Sequence, residues 1–365
     1  MVTWNRSRKK LRYGQSLAPV HIMFLRFGVF LCIFGAVFQT ATACTPCPSM
    51  CSCTLKSGTT DECEVECQGQ GYRTLPTAAE MPAAASWKIV KLDLSNNDIE
   101  EVPRNNISFL TNLQELSLRG NNISIMEDNT FDDLEELEVL DLSSNHITQF
   151  PDDLFESPNI IIKHLNISHL QLTSIKESFL RKLKEIEVLD ASYNRIDRLS
   201  SNLFNKNDKI QLFKMSNNDL VSVDLRRFRK YVSDLSYNKL TSIEASHFIT
   251  SILQLDLTGN LISSVDPSVL DQLPNLQNIS LAGNPWECTC SLKDFHDKLI
   301  QLETSSGLIL VDKWNIRCSN LDVPMFNLTN TALWSCLCKK KQNPASCLAK
   351  QWPKIRSKRA PGKEV

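Results

Sequence analysis

The sequence predicts an α/β-type solenoid of about nine short turns, each opening with a brief strand. The strands would stack into one parallel concave sheet, capped by disulfides at both ends. Three observations predict this fold. A strand-like stretch recurs in nine registers, eight of which end on an asparagine; the spacing stays near 24 residues; and cysteines cluster on either side of the region these stretches fill. A period of this size marks units that cannot bury their own apolar side alone and must stack to do so.

The chain has 365 residues, 40 basic against 41 acidic, and 42% are apolar, a balanced and globular composition. A basic run (Arg6, Arg8, Lys9, Lys10, Arg12) precedes an apolar segment, Ile22 to Phe38, and the small residues Ala41 and Ala43. These are the three regions of a secretory signal, with cleavage expected before Cys44 and an uncleaved signal-anchor as the alternative. Arg26 limits the uninterrupted apolar part to about a dozen residues, where a spanning helix needs about 20.

Cys32 would leave with the signal. Twelve cysteines remain: Cys44, Cys47, Cys51, Cys53, Cys63 and Cys67 at one end, and Cys288, Cys290, Cys318, Cys336, Cys338 and Cys347 at the other. An even count in two terminal clusters of an exported chain argues for disulfides. The pairs Cys51/Cys53 and Cys288/Cys290 leave one residue between sulfurs, short of the usual zinc spacing.

Between the clusters, "VKLDLSNNDIEEVP" (Val90 to Pro103) shows the unit. Leu92 and Leu94 lie two apart and point to one side of an extended chain, with Lys91, Asp93 and Ser95 on the other. Aligned on the second asparagine, the registers are Asn97, Asn121, Asn145, Leu170, Asn194, Asn218, Asn238, Asn260 and Asn284. Apolar residues recur eight before each anchor, from Ile89 to Leu276, with Lys230 the exception, and again two after it. About ten past it come Phe131, Phe155, Phe179, Phe204, Phe228 and Phe248. Each anchor amide is expected to point inward and hydrogen-bond backbone groups of adjacent turns, with the phenylalanines as a second spine on the opposite wall.

The pattern L-x-x-L-x-L-x-x-N-x-L resembles the leucine-rich repeat, and a period of 24 is typical of its extracellular class. The flanks agree. "CPSMCSC" (Cys47 to Cys53) with "ECQGQGYRTLP" (Glu66 to Pro76) resembles the N-terminal cysteine cap of these proteins; "NPWECTCSLKDF" (Asn284 to Phe295) with Cys318 and Cys336 resembles the C-terminal cap of Slit, Toll-type ectodomains and the Nogo receptor. The resemblance implies a leucine-rich-repeat horseshoe, with Cys47 bonded to Cys53, Cys51 to Cys67, Cys288 to Cys318 and Cys44 to Cys63. Cys290 would pair with Cys336 or Cys338, a choice left open along with the place of Cys347. The implied organisation is a signal peptide (1–43), an N-terminal cap (44–77), repeats (78–284), a C-terminal cap (285–347) and a basic tail (348–365).

Around Asn238 the units shorten to 20 and 22 residues, and Lys230 and Ser233 stand where apolar residues belong. This reads either as drift in tolerant repeats or as an irregular curvature near residues 213–245 that exposes the basic run Arg226 to Lys230.

No catalytic constellation emerges. Asp93, Asp141, Asp190, Asp234 and Asp256 form an outward row, but solvated carboxylates need no raised pKa and call for no acid or base role. His164 and His169 lack a third ligand at useful spacing. No phosphate loop or nucleophile elbow is present. An enzyme, a cofactor, a metal and a nucleic-acid partner are therefore not expected.

The expected function is that of a secreted, extracellular glycoprotein acting as a protein-binding module in adhesion, signalling or immune recognition, its partner a protein ligand or receptor. The alternative is a matrix component resembling small leucine-rich proteoglycans, whose first-cap cysteine style it shares but which lack the "NPWECTC" cap. Nothing long and apolar follows Cys347, so no transmembrane span is expected after signal removal. The tail from Cys338 carries a single acid among many bases and reads as a solvated end or as an arm for anionic glycosaminoglycan or lipid. Its "RSKR", Arg356 to Arg359, fits a convertase site that so basic a tail also produces by chance.

Five sequons, at Asn106, Asn122, Asn166, Asn278 and Asn327, are candidate glycosylation sites. Register places Asn166 and Asn278 on the concave sheet, where glycans would mask ligand contact. Residues 127–156 hold eleven acids and no lysine or arginine. Asp132, Asp133, Glu135, Glu136 and Glu138 in that stretch are therefore the expected partner-binding residues.

Overall fold

Strand alternation builds the core one turn at a time. The computed structural model describes residues 44, 47–81, 87–224, 232–247, 250–321 and 323–329. The expected signal, the basic run 226–230, Phe228, Phe248, Cys336, Cys338, Cys347 and the tail lie outside the described residues. Within them a twelve-stranded sheet runs in chain order. It comprises β1 (Ser52–Leu55), β2 (Glu62–Glu66), β3 (Lys88–Asp93), β4 (Glu115–Ser117), β5 (Val139–Asp141), β6 (His164–Asn166), β7 (Val188–Asp190), β8 (Leu212–Lys214), β9 (Val232–Asp234), β10 (Gln254–Asp256), β11 (Asn278–Ser280) and β12 (Ile309–Val311).

β1 and β2 are antiparallel, and every later neighbour is parallel. One inward column, Leu92, Leu116, Leu140, Leu165, Leu189, Phe213, Leu255 and Ile279, is at most 2% exposed. Fully burying such a side chain contributes about 1.5 to 3 kcal/mol. The column passes through Ser233, and β8 pairs with β9 and β9 with β10 in unbroken register, so the shortened units fall in the loops and leave the sheet continuous. One local departure occurs at the first turn: a bulge between β2 and β3 turns Val90 inward and leaves Ile89 half-buried.

Strands of three residues cannot satisfy their own exits, and the anchor asparagines do it for them. Asn121 Nδ2 donates to the carbonyls of Leu118 in its own turn (2.9 Å) and Leu94 in the preceding one (3.0 Å). Its Oδ1 accepts from the Ile99 N–H at 3.1 Å. The same three bonds recur at Asn145, Asn194, Asn218, Asn238, Asn260 and Asn284. Buried backbone groups need such partners, because an orphaned one costs about 1 to 3 kcal/mol. Leu170 breaks the series, so the Ile147 N–H meets no anchor oxygen.

On the opposite wall Phe155 stacks on Phe131 at 5.6 Å and meets Phe179 at a tilt at 5.4 Å, while Phe204 packs edge-on to Phe213. Short helices α1 (Glu177–Arg181) and α2 (Ser268–Asp271) interrupt that wall.

Both ends are sealed. Disulfides Cys44–Cys63, Cys47–Cys53 and Cys51–Cys67 hold the β1–β2 hairpin over the first turn. At the other end α3 (Cys290–Ser305) buries Leu292, Phe295, His296 and Leu299, and Trp286 stacks on Phe295 and donates its Nε1–H to the Leu281 carbonyl. Cys288 is bonded to Cys318, and Cys290 is also disulfide-bonded. A solenoid without caps would expose a raw apolar face and an open sheet edge.

Candidate recognition surface

The outward side of the sheet presents two rows of side chains. The second row carries the aspartates read from the sequence, and the structure gives them a local task. Oδ1 of Asp93, Asp141, Asp190, Asp234 and Asp256 accepts the backbone N–H two residues on, at 2.8 to 3.0 Å. Asn166 does the same for Ser168. This is the side-chain-to-backbone turn that aspartate and asparagine favour. It also turns the following serine inward: Ser95, expected on the outward side, is 5% exposed, and Ser143 is 1% exposed.

In two of these aspartates the second oxygen meets the next turn. Asp141 Oδ2 accepts from Asn166 Nδ2 at 3.3 Å, and Asp190 Oδ2 pairs with Lys214 at 3.3 Å.

The residue before every anchor, at the strand exit, adopts left-handed backbone. The column is Asn96, Gly120, Ser144, His169, Tyr193, Asn217, Tyr237, Gly259 and Gly283, with φ between 52° and 69°. Such angles suit glycine and asparagine and strain a tyrosine by about 1 to 2 kcal/mol. Tyr193 and Tyr237 nevertheless stand about half exposed there, and the His169 ring stacks on Tyr193 at 4.1 Å. Sequence reasoning missed this column. The signal was the glycine and asparagine at five of its nine positions.

The acidic stretch is spread over two faces. Glu138 leads into β5 and pairs with Lys163 at 2.7 Å, a hydrogen bond that raises the lysine pKa. Asp132 accepts the Glu156 N–H, and Glu135 accepts from Asn159. Asp152 pairs with Lys176, whose hydrogen bond lowers the carboxyl pKa, and Glu156 pairs with Lys182. Asp133 and Glu136 are exposed and make no ion pair among the described residues. Of the sequons, Asn122 and Asn327 are exposed, while Asn106, Asn166 and Asn278 are half-buried. His164 and His169 are exposed, and among the described residues no group of three histidines, cysteines or acids could hold a metal. No described helix is long and apolar enough to cross a membrane.

The family model described as leucine rich repeat matches residues 88–147 and 234–285, the segments that contribute β3–β5 and β10–β11. The chain carries leucine-rich repeats between disulfide-bonded ends. Similar proteins include CD180 antigen of Mus musculus, 38% identical over 23% of this chain and 13% of the relative. Protein toll of Drosophila melanogaster is 26% identical over 33% of this chain and 11% of the relative. Human platelet glycoprotein IX is 33% identical over 22% and 44%. The matches thus span less than half of each of these relatives. A chain from a solved octameric complex of Latrophilin 3, Unc5D and FLRT2 (LRR) shares the fold, with a TM-score of 0.56 and 24% identity over 63% of this chain and 71% of that one.

Proposed function

We propose that this chain is an exported, glycosylated recognition module that binds extracellular protein partners in adhesion, signalling or immune contacts and catalyses nothing. The observation that carries the reading is the fixed outward display: a continuous sheet sealed on one side, with unlike half-exposed side chains on the other and a rim bearing exposed Tyr193 and Tyr237. Tyrosine is enriched in protein interfaces, and a rigid scaffold holds such anchors at little entropic cost. Disulfides at both ends suit an oxidising compartment. The similarity to a Toll protein, an antigen and a platelet glycoprotein supports the same reading.

Within this reading the chain is organised as a signal (1–43), caps at 44–77 and 285–347, repeats at 78–284 and a tail at 348–365. The five sequons, Asn106, Asn122, Asn166, Asn278 and Asn327, are its glycan sites, with Asn122 and Asn327 the exposed ones. Asp133 and Glu136, with Asp132, Glu135 and Glu138 beside them, contact the partner.

Expression of the tagged full chain in secretory cells tests the reading, followed by screening of the recovered chain against an array of displayed cell-surface and secreted proteins. Glycosylated chain in the medium with saturable binding to a displayed protein is expected. Retention inside the cell with free thiols would overturn it.

A further inference from the structure

The strand-exit column holds a gap between two rings. Tyr193 and Tyr237 stand about half exposed two turns apart, with Asn217 in the same register between them. The exits are tied to one another: the Tyr193 N–H donates to the Ser216 carbonyl at 2.8 Å, and the Asn217 N–H to that of Ser236 at 2.9 Å. They therefore keep the spacing of the sheet, and the two tyrosine positions lie about 9.6 Å apart. Both rings are backed on their far sides. His169 stacks on Tyr193 at 4.1 Å with the planes 10° apart, and Tyr237 stands over Gly259 of the following turn. Their free faces thus look at each other across Asn217.

Asn217 is half-buried, and its side-chain amide has no hydrogen bond among the described residues. The backbone does not call for a ring at either place, since φ of 56° at Tyr193 and 52° at Tyr237 would suit glycine. Arg195, two residues past Tyr193, is exposed and makes no ion pair among the described residues. Its neighbouring carboxylates are already engaged, Asp197 by Arg198 and Asp219 by Lys239.

These features select an occupant. A flat guanidinium or aromatic ring between two faces needs about 7 Å, one van der Waals contact on each side, and would be loose here. The thicker, puckered ring of proline fills more of the gap, and proline-bearing segments are held by aromatic-lined grooves. Such a segment runs as polyproline II, whose carbonyls have no internal hydrogen bond, so one can accept from Asn217 Nδ2. Arg195 adds a cation that calls for a carboxylate on the same segment.

We propose that the gap between Tyr193 and Tyr237 is a docking slot for a proline of an extended acidic segment in a protein partner, with Asn217 bonding the segment's backbone and Arg195 its carboxylate. The proposal rests on the protein-recognition reading and names the chemistry of one anchor within it.

The test titrates the full secreted chain into a fluorescein-labelled peptide of four Pro-Pro-Glu repeats, read by fluorescence anisotropy, with Ala-Ala-Glu and Pro-Pro-Lys repeats of equal length as controls. In polyproline II the glutamates fall along one edge and the prolines along the other two. The Pro-Pro-Glu peptide should bind about tenfold or more tightly than either control. Tyr193→Gly with Tyr237→Gly should abolish that preference while unfolding stays cooperative, because glycine is at ease at these angles. Arg195→Gln should erase the preference over the lysine peptide and keep that over the alanine peptide. Trp314→Ala, which removes an exposed ring from the C-terminal cap, should change nothing. Equal binding of the Pro-Pro-Glu and Ala-Ala-Glu peptides, or undiminished binding by the double glycine variant, would overturn the slot. Saturable binding of chitohexaose in place of the peptide, lost in that variant, would also overturn it and assign the rings to a sugar. Binding to a displayed protein that persists while the Pro-Pro-Glu peptide fails would remove the slot and leave the recognition reading in place.

Discussion

Asn145 Nδ2 donates to the Leu118 carbonyl at 2.9 Å, a bond that ties one turn of the coil to the turn before it. With the bonds to Leu142 and from Ile123 it satisfies three backbone groups at once. Asn145→Leu removes all three partners, and a loss of more than about 2 kcal/mol of unfolding free energy is expected. Leu170→Asn should behave differently, because it offers the Ile147 N–H an acceptor; a change within about 1 kcal/mol is expected. Chemical unfolding of the two variants decides the matter, and equal destabilisation would show that the ladder is not what the anchors contribute.

Ser233 interrupts the inward column between Phe213 and Leu255 and buries a hydroxyl without a partner. Ser233→Ala should therefore raise stability by about 1 kcal/mol, since it removes a desolvated polar group. A lower melting temperature in this variant would mean that the hydroxyl is satisfied in solution.

Gly259 has φ of +69°, and an added Cβ would stand 2.6 Å from the Tyr237 ring. Gly259→Ala should cost about 1 to 2 kcal/mol through backbone strain and displacement of that ring. Pairing it with Tyr237→Ala separates the two contributions. If the double variant were no more stable than Gly259→Ala alone, the ring contact would play no part.

His296 is 1% exposed in α3, against Phe326 and beside Asp297. Burial lowers its pKa below the ordinary 6.5; Asp297 opposes that shift, while Lys293 and Lys313 add to it. The sign follows from proton counting. Below pH 6.5 the unfolded chain binds a proton that the folded cap resists, so stability is present above that pH and is lost as pH falls. Melting curves from pH 7.5 down to 5 should show a slope that His296→Gln flattens. An identical slope in the variant would assign it to other groups.

Much of the fold was legible because a 24-residue period repeats residue types at fixed offsets: the anchors, the inward leucines and the Phe131–Phe155–Phe179 spine all fall out of one alignment. What escaped lies in relations the period hides. Ser95 turns inward because Asp93 captures its N–H, which simple alternation does not anticipate. The left-handed column holds His169, Tyr193 and Tyr237 where glycine would have signalled it. Residues 127–156 contain no lysine or arginine, yet Lys163, Lys176 and Lys182, one turn further along the chain, pair with Glu138, Asp152 and Glu156. Charge in a solenoid is balanced laterally, one repeat away. A sequence window reads it only along the chain.

The central claim is that this chain acts by binding protein through the surface its repeats display. Its most direct test is a binding isotherm of the secreted chain on the displayed protein that captures it in the array screen, measured beside the variant carrying Asp133→Asn and Glu136→Gln. The account predicts saturable binding weakened about tenfold or more in the variant, with the melting temperature unchanged, since exposed carboxylates contribute little to stability. Absence of saturable binding to every displayed protein, by a chain whose cysteines are all oxidised and whose melting is cooperative, would contradict it.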